Sequence, residues 1–150
     1  SLFSLSSYSK ILEFLKLGIH QVEYDEIFNR FFSHNEPFFC YLHDQLSEPA
    51  SKIFGEKVKP SYVFYSEYGK NGVCPFHTDR PQCKYTIDYC INQDEKWPIY
   101  VDNNEIVLNP NDAVCYSGTD SLHYRKKITG KYCTMLFFHF VPINFEGSLS

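Results

Sequence analysis

The sequence predicts a mainly β fold, a double-sheet jelly roll of about eight strands buttressed by two or three N-terminal helices. Three observations predict it. Texture changes near residue 60: apolar residues recur at helical spacing before it, and short runs rich in Tyr, Val, Ile and Phe follow it. Turn chemistry punctuates those runs closely, at Gly69-Lys-Asn-Gly72, Asp102-Asn-Asn, Asn109-Pro-Asn-Asp112, Gly118-Thr-Asp and Thr129-Gly130. Aromatic residues reach 18%, with 14 Phe and 12 Tyr, and rings pack well on a pleated surface. The chain of 150 residues suits one domain, divided into a helical buttress (1–58), a jelly-roll core (59–142) and a tail (143–150).

In chain order, Ser9 to Leu17 carries apolar residues at 11, 12, 14, 15 and 17, with a serine as cap and Gly18 as the stop. Glu23 to Phe32 reads as a second helix with Ile27, Phe28, Phe31 and Phe32 on one side. Pro37 opens a short third helix ending near Leu46. The strand runs are 61–68, 73–78, 84–92, 98–101, 104–108, 112–117, 121–127 and 131–141.

Composition excludes several function classes. A net charge of −4 disfavours broad, salt-driven nucleic-acid binding, so no nucleic-acid partner is expected. No run approaches the ~18 apolar residues of a membrane span, and the first segment lacks a signal-peptide layout. The six cysteines (40, 74, 83, 90, 115 and 133) form no CxxC pair. Cys90, Cys115 and Cys133 sit inside apolar runs, where a thiol behaves as a small hydrophobe. Free cysteines and a cytoplasmic location are expected.

His77-Thr78-Asp79 closes a strand run. Alternate residues of an extended chain share a face, so His77 and Asp79 can offer an imidazole and a carboxylate to one cation. A histidine from another strand would complete a 2-His-1-carboxylate facial triad, the donor set of non-haem Fe(II) oxygenases. His123 is the natural candidate. His20, His34 and His43 lie in the N-terminal half, and His139 lies within Leu136-Phe-Phe-His-Phe-Val141, where a core histidine is the simpler reading.

Around this triplet the sequence resembles a known family. The segment Tyr68-Gly69-Lys-Asn-Gly72-Val-Cys-Pro-Phe-His77-Thr-Asp79 resembles the tyrosine–glycine–glycine–HxD segment of prolyl-hydroxylase-like Fe(II)/2-oxoglutarate oxygenases. Asn109-Pro-Asn-Asp-Ala-Val-Cys-Tyr-Ser-Gly118 followed by His123 resembles their turn–strand–histidine segment. Gly130-Lys-Tyr-Cys-Thr-Met-Leu-Phe-Phe-His-Phe140 resembles their last core strand. The likeness spans about residues 60–141 and implies a double-stranded β-helix, or cupin-like jelly roll. It also implies Fe(II) held by His77, Asp79 and His123, with 2-oxoglutarate and O2 as cosubstrates. The Asp79 carboxylate points to hydroxylation, since halogenases of the wider superfamily carry a small residue there.

Such a family member needs a cation for the remote carboxylate of 2-oxoglutarate. Two residues compete. Arg125 shares the face of His123 by alternation and can pair with a carboxylate through two parallel bonds. Lys131 lies on the family-like strand but one place early. Tyr62 and Tyr68 share a face and are candidate cosubstrate donors, whereas Tyr65 faces the other way. Cys74 stands where the family usually has a tyrosine. The expected substrate is a small molecule or a protein side chain, selected by loops such as 79–85 and 92–98. Two other readings stay open: a cupin-like metal-dependent isomerase or hydrolase using the same ligands, and a non-catalytic binding module.

Overall fold

The computed structural model describes residues 1–150. Helix α1 (Leu5–Lys16) starts earlier than its apolar stripe suggests, because the Ser4 hydroxyl accepts from the Ser7 amide and caps the first turn. The segment expected as a second helix is instead a hairpin of β1 (Glu23–Asp25) and β2 (Arg30–His34). The physical reason is the turn between them. The Asp25 carboxylate accepts from the amides of Ile27 and Phe28, and Asn29 sits at φ 53°, an asparagine-tolerated conformation that breaks a helix. The remaining apolar residues then alternate, and β2 joins the free edge of the next strand.

Helix α2 (Pro37–Gln45) begins where Pro37 marks it, with the Glu36 carboxylate accepting from the Phe38 and Phe39 amides. A further helix absent from the sequence reading, α3 (Ser47–Phe54), follows and ends at Gly55, whose φ of 75° suits glycine. Beyond it lie β3 (Val58–Gly69), β4 (Cys74–His77), a 3₁₀ turn (Pro81–Cys83), β5 (Tyr85–Gln93), β6 (Ile99–Val101), β7 (Asn104–Ile106), β8 (Ala113–Tyr116), β9 (His123–Arg125) and β10 (Tyr132–Pro142). Each predicted strand run overlaps one of β3 to β10, so the jelly roll is present, with the hairpin adding two strands. One sheet runs β1-β2-β3-β10-β5-β8 and the other β4-β9-β6-β7, all neighbours antiparallel.

The large sheet has two different faces. Val63, Tyr65, Ile87, Tyr89, Leu136, Phe138 and Phe140 pack against Ile11, Phe39, Leu42, Leu46 and Ala50 of the helices. Each large side chain buried there contributes about 1.5–3 kcal/mol. The intervening residues, among them Tyr62, Tyr68, Asp88 and His139, face the other sheet across a cavity. All six cysteines are unpaired, and no helix is long and apolar enough to cross a membrane.

Two histidines are buried neutral between these layers. His43 donates from Nε2 to the His139 carbonyl at 2.8 Å, and burial lowers its pKa to about 4. Burial likewise lowers His139 to about 3. The unfolded chain therefore gains protons below pH ~6.5 that the folded chain refuses, and stability complete above that pH is lost as pH falls. Each ring should cost about 2 kcal/mol by pH 5. His43→Gln keeps a donor for the carbonyl, so urea unfolding at pH 7 and pH 5 should show that variant losing about 2 kcal/mol less than the wild type. Equal losses would mean that His43 is not held neutral.

Candidate metal centre and its cavity

Strand register brings the ligand candidates together. His77 at the end of β4 pairs directly with His123 at the start of β9. Beyond β4 the chain stays extended, and the Asp79 amide donates to the Gly118 carbonyl at 2.7 Å. One donor atom from each of His77, Asp79 and His123 lies within 4.8 Å of the others. His77 Nε2 is 3.1 Å from Asp79 Oδ1, and His123 Nε2 is 3.3 Å from Asp79 Oδ2.

The opposite edge of each ring is also committed. His77 Nδ1 lies 2.6 Å from the Pro75 carbonyl and His123 Nδ1 lies 2.9 Å from the Ser121 carbonyl. A carbonyl can only accept, so each Nδ1 carries the proton. A neutral imidazole then presents a bare Nε2 lone pair to a carboxylate. Such an arrangement is satisfied by a proton on each Nε2 or by a cation shared among the three groups. Burial pushes the Asp79 carboxyl up, but the bonds to His123 and His77 outweigh it and hold the group well below the usual carboxylate range. The bond to Asp79, against the opposing effect of burial, raises His77.

Gly118 is part of the site. A Cβ there would collide with the Cys83 carbonyl and lie 2.6 Å from Asp79 Oδ2. Only glycine lets the 118 backbone approach the carboxylate this closely. The sequence marks Gly118 as a turn residue and gives no hint of this second role.

The three donors line a cavity of about 890 Å³ between the sheets. Arg125, Tyr62 and Tyr68 line it too, whereas Lys131 is exposed at the foot of β10, outside the lining. Arg125 is clamped: Nη1 donates to the Trp97 carbonyl at 2.7 Å, the guanidinium lies 4.9 Å from the Trp97 ring, and Nη2 lies 3.4 Å from Asp88 Oδ1. Burial pushes the Asp88 carboxyl up, and Arg125 and the Tyr116 hydroxyl, donating at 3.1 Å, only partly reverse this. The Tyr62 hydroxyl lies 3.1 Å from Cys83 Sγ, and the Tyr68 hydroxyl accepts from Arg30 Nη1 at 3.1 Å. His139 also lines the cavity, its Nδ1 2.9 Å from the Thr86 hydroxyl.

Several wall residues escaped the sequence reading. Asp88 was legible in principle, as a lone carboxylate in the apolar run 84–92. Arg30 is not, because it falls in the segment Glu23–Phe32 that reads as a helix, and His34, set aside by its place in the N-terminal half, reaches the cavity only through the β1–β2 hairpin. Of the two loops expected to select substrate, 79–85 supplies Arg80 and Cys83 to the lining besides Asp79, and 92–98 supplies nothing.

No protein-family model matches the sequence, and no curated protein sequence matches it either. Solved structures do match the fold. A 2OG-Fe(II) oxygenase family oxidoreductase from Burkholderia pseudomallei aligns with a TM-score of 0.74 at 11% identity, covering 98% of this chain and 82% of that one. HygX from Streptomyces hygroscopicus, solved with nickel and 2-oxoglutarate bound, aligns at 0.71 and 11% identity, covering 96% and 81%. A Pseudomonas putida prolyl-4-hydroxylase aligns at 0.67 and 12% identity, covering 95% and 90%. Identities this low establish a shared fold, and function rests on the site.

His77→Ala, Asp79→Ala and His123→Ala should each weaken Co(II) binding at least about a hundredfold by calorimetry, since each removes one of three protein donors. Far-UV circular dichroism should be unchanged, because the apolar core is independent of the site. Gly118→Ala should weaken binding at least about tenfold by displacing Asp79. Full Co(II) affinity in Asp79→Ala would overturn the ligand assignment.

Proposed function

We propose that the protein is an Fe(II)- and 2-oxoglutarate-dependent oxygenase that hydroxylates a C–H bond of a small molecule or protein side chain. The observation that carries this is the donor set itself. Two imidazoles and one carboxylate converge with their outer edges fixed by carbonyls, and they do so on the wall of an open cavity. A closed structural site would supply a fourth protein donor; three donors leave room for cosubstrate and O2. The bound HygX structure supports the reading, since a protein of the same fold holds nickel together with 2-oxoglutarate.

When bound, Fe(II) would couple loss of CO2 from 2-oxoglutarate to transfer of one atom of O2 to substrate and one to succinate. The chain's own residues position the reactants. His77, Asp79 and His123 would hold the metal, with Pro75 and Ser121 fixing the tautomers. Arg125 is the candidate for the remote carboxylate of the cosubstrate, because it is buried, permanently charged and fixed by Trp97 and Asp88. Lys131, outside the cavity lining, is the weaker candidate. Tyr62 and Tyr68 border the same space, and Phe64 and Phe137 give it apolar wall. Six free thiols support a reducing compartment, and we place the protein in the cytoplasm.

Anaerobic addition of Fe(II) and 2-oxoglutarate should produce the weak visible charge-transfer band of the chelate. Zinc retention without the band would favour the metal-dependent isomerase or hydrolase, and absence of metal binding would favour a binding module. Arg125→Gln combined with Asp88→Asn removes the guanidinium without stranding a buried charge. That variant should bind 2-oxoglutarate at least about tenfold more weakly, with Co(II) affinity unchanged. Lys131→Ala should lie within about twofold of wild type, as surface charges usually do. Reversed outcomes would move the cosubstrate to Lys131.

A further inference from the structure

We propose that the substrate of this site, read as an oxygenase site, is an organic acid whose anionic head group is held by Arg30 and Arg80 against the aromatic wall of the cavity. The charges lining the cavity carry the inference. Arg30, Arg80 and Arg125 face two side-chain carboxylates, Asp79 and Asp88, and no lysine or glutamate. Both carboxylates are committed, Asp79 between the two imidazoles and Asp88 to Arg125. Arg80 is therefore left facing the cavity with no carboxylate partner, and Arg30 is met only from outside the lining, by Asp25 at its Nε.

Arg30 is built into place. Its guanidinium carbon lies 5.0 Å from the Phe28 and Phe64 rings and 5.6 Å from the Tyr68 ring. Nε lies 3.4 Å from Asp25 Oδ2 and Nη1 donates to Tyr68, which leaves Nη2 without a protein acceptor. The aromatic clamp removes rotamer freedom from the side chain before any ligand arrives. Arg80 follows Asp79 directly and lies 5.4 Å from the Tyr62 ring, with no carboxylate within ion-pair distance. His34 locates the two cations in one neighbourhood. Its ring contacts Tyr62 and Phe64, and burial and the charge of Arg80 lower its pKa, with Glu23 opposing and Arg30 adding to the lowering.

This site is distinct from the place assigned to 2-oxoglutarate. Arg30 lies over Tyr68, Tyr68 meets Trp97 at 4.9 Å edge to face, and Arg125 lies over Trp97. Two guanidinium groups thus occupy the two ends of a Tyr68–Trp97 pair, enough for two anions at once. Phe64 and Tyr62 between Arg30 and Arg80 offer apolar surface for the body of the acid. An amine or a lysine side chain would meet two guanidinium groups here, and the cavity's own side-chain carboxylates, Asp79 and Asp88, are already engaged, so cationic substrates are disfavoured.

The test uses 3-phenylpropionate, phenyl phosphate and the uncharged 3-phenylpropanamide as probes. They are titrated by calorimetry into the protein loaded with Co(II) and saturated with 2-oxoglutarate. At least one anion should bind at least about tenfold more tightly than the amide, and the tighter one identifies the head group as carboxylate or phosphate. Arg30→Gln and Arg80→Gln should each lower that affinity at least about fivefold while leaving 2-oxoglutarate affinity unchanged. Equal binding of amide and anions, or no binding of either anion, overturns the proposal. So does an Arg30→Gln variant that loses 2-oxoglutarate affinity instead. Arg80→Gln, at an exposed position, covers the case in which Arg30→Gln fails to fold. Repeating the titration on metal-free protein separates the two readings: Arg-dependent anion binding without any binding of 2-oxoglutarate to the loaded protein would overturn the oxygenase and leave the anion site standing.

Discussion

The pairing of β4 with β9 is the constraint on which the rest of the site depends. His77 opposite His123 puts two imidazoles on neighbouring strands with their rings 4.3 Å apart. Two Nε2 atoms facing each other need something between them, and the chain supplies Asp79. Its amide is tied to Gly118, and a glycine is required there because the carboxylate passes so close. The start of β9 is fixed from its other side, where the Asp102 amide donates to the Leu122 carbonyl and the Asp102 side chain accepts from the Leu122 amide. A one-residue slip on either strand would turn one imidazole away from the cavity.

The same alternation gives the large sheet two incompatible surfaces. One face is aromatic and aliphatic and needs the helices to cover it. The other carries Tyr62, Tyr68, Asp88 and His139, which need polar partners. His43 links the faces: it packs among Phe138 and Phe140 while bonding the His139 main chain. The helices are therefore more than a cover, since they fix the strand that carries a cavity residue. Irregularities in the β10 ladders, at Thr134/Met135 against β5 and Phe138/Phe140 against β3, leave this alternation intact over the central residues.

What could be read from the sequence follows from which physics is local. Turns were legible because Asn71, Asp102, Asn103 and Asn111 fall in the expected turn segments and all adopt positive φ. That chemistry needs no tertiary context. The HxD triplet and His123 were legible as candidates through strand alternation and the resemblance around them, and their convergence required the register of two short strands. The β1–β2 hairpin reads as a helix in the sequence because Ile27, Phe28, Phe31 and Phe32 fit a helical stripe. Its outcome is decided by an Asp25 turn and by the free edge of β3, where Arg30 pairs with Tyr68 and His34 with Phe64. Arg30 was lost with it. Asp88 was overlooked for a different reason: a carboxylate in an apolar strand has meaning only once the arginine on another sheet is known.

That buried pair is the costliest feature of the cavity. Removing Arg125 and Asp88 from water sacrifices several kcal/mol of hydration for each charge, and a hydrophobic pair of similar shape would be at least as stable. The chain reinforces the expensive arrangement: the Trp97 carbonyl and ring hold the guanidinium, the Trp97 indole donates to the Lys126 carbonyl at 2.7 Å, and Tyr116 donates to Asp88. Trp97 thereby ties the 94–97 loop to the strand that carries both His123 and Arg125. Each bond restricts where the cation can point, and none is needed to keep the two sheets together. Stability alone does not account for such a network. On the proposed reading, a cation fixed in advance would orient a charged cosubstrate without spending binding energy to order the side chain.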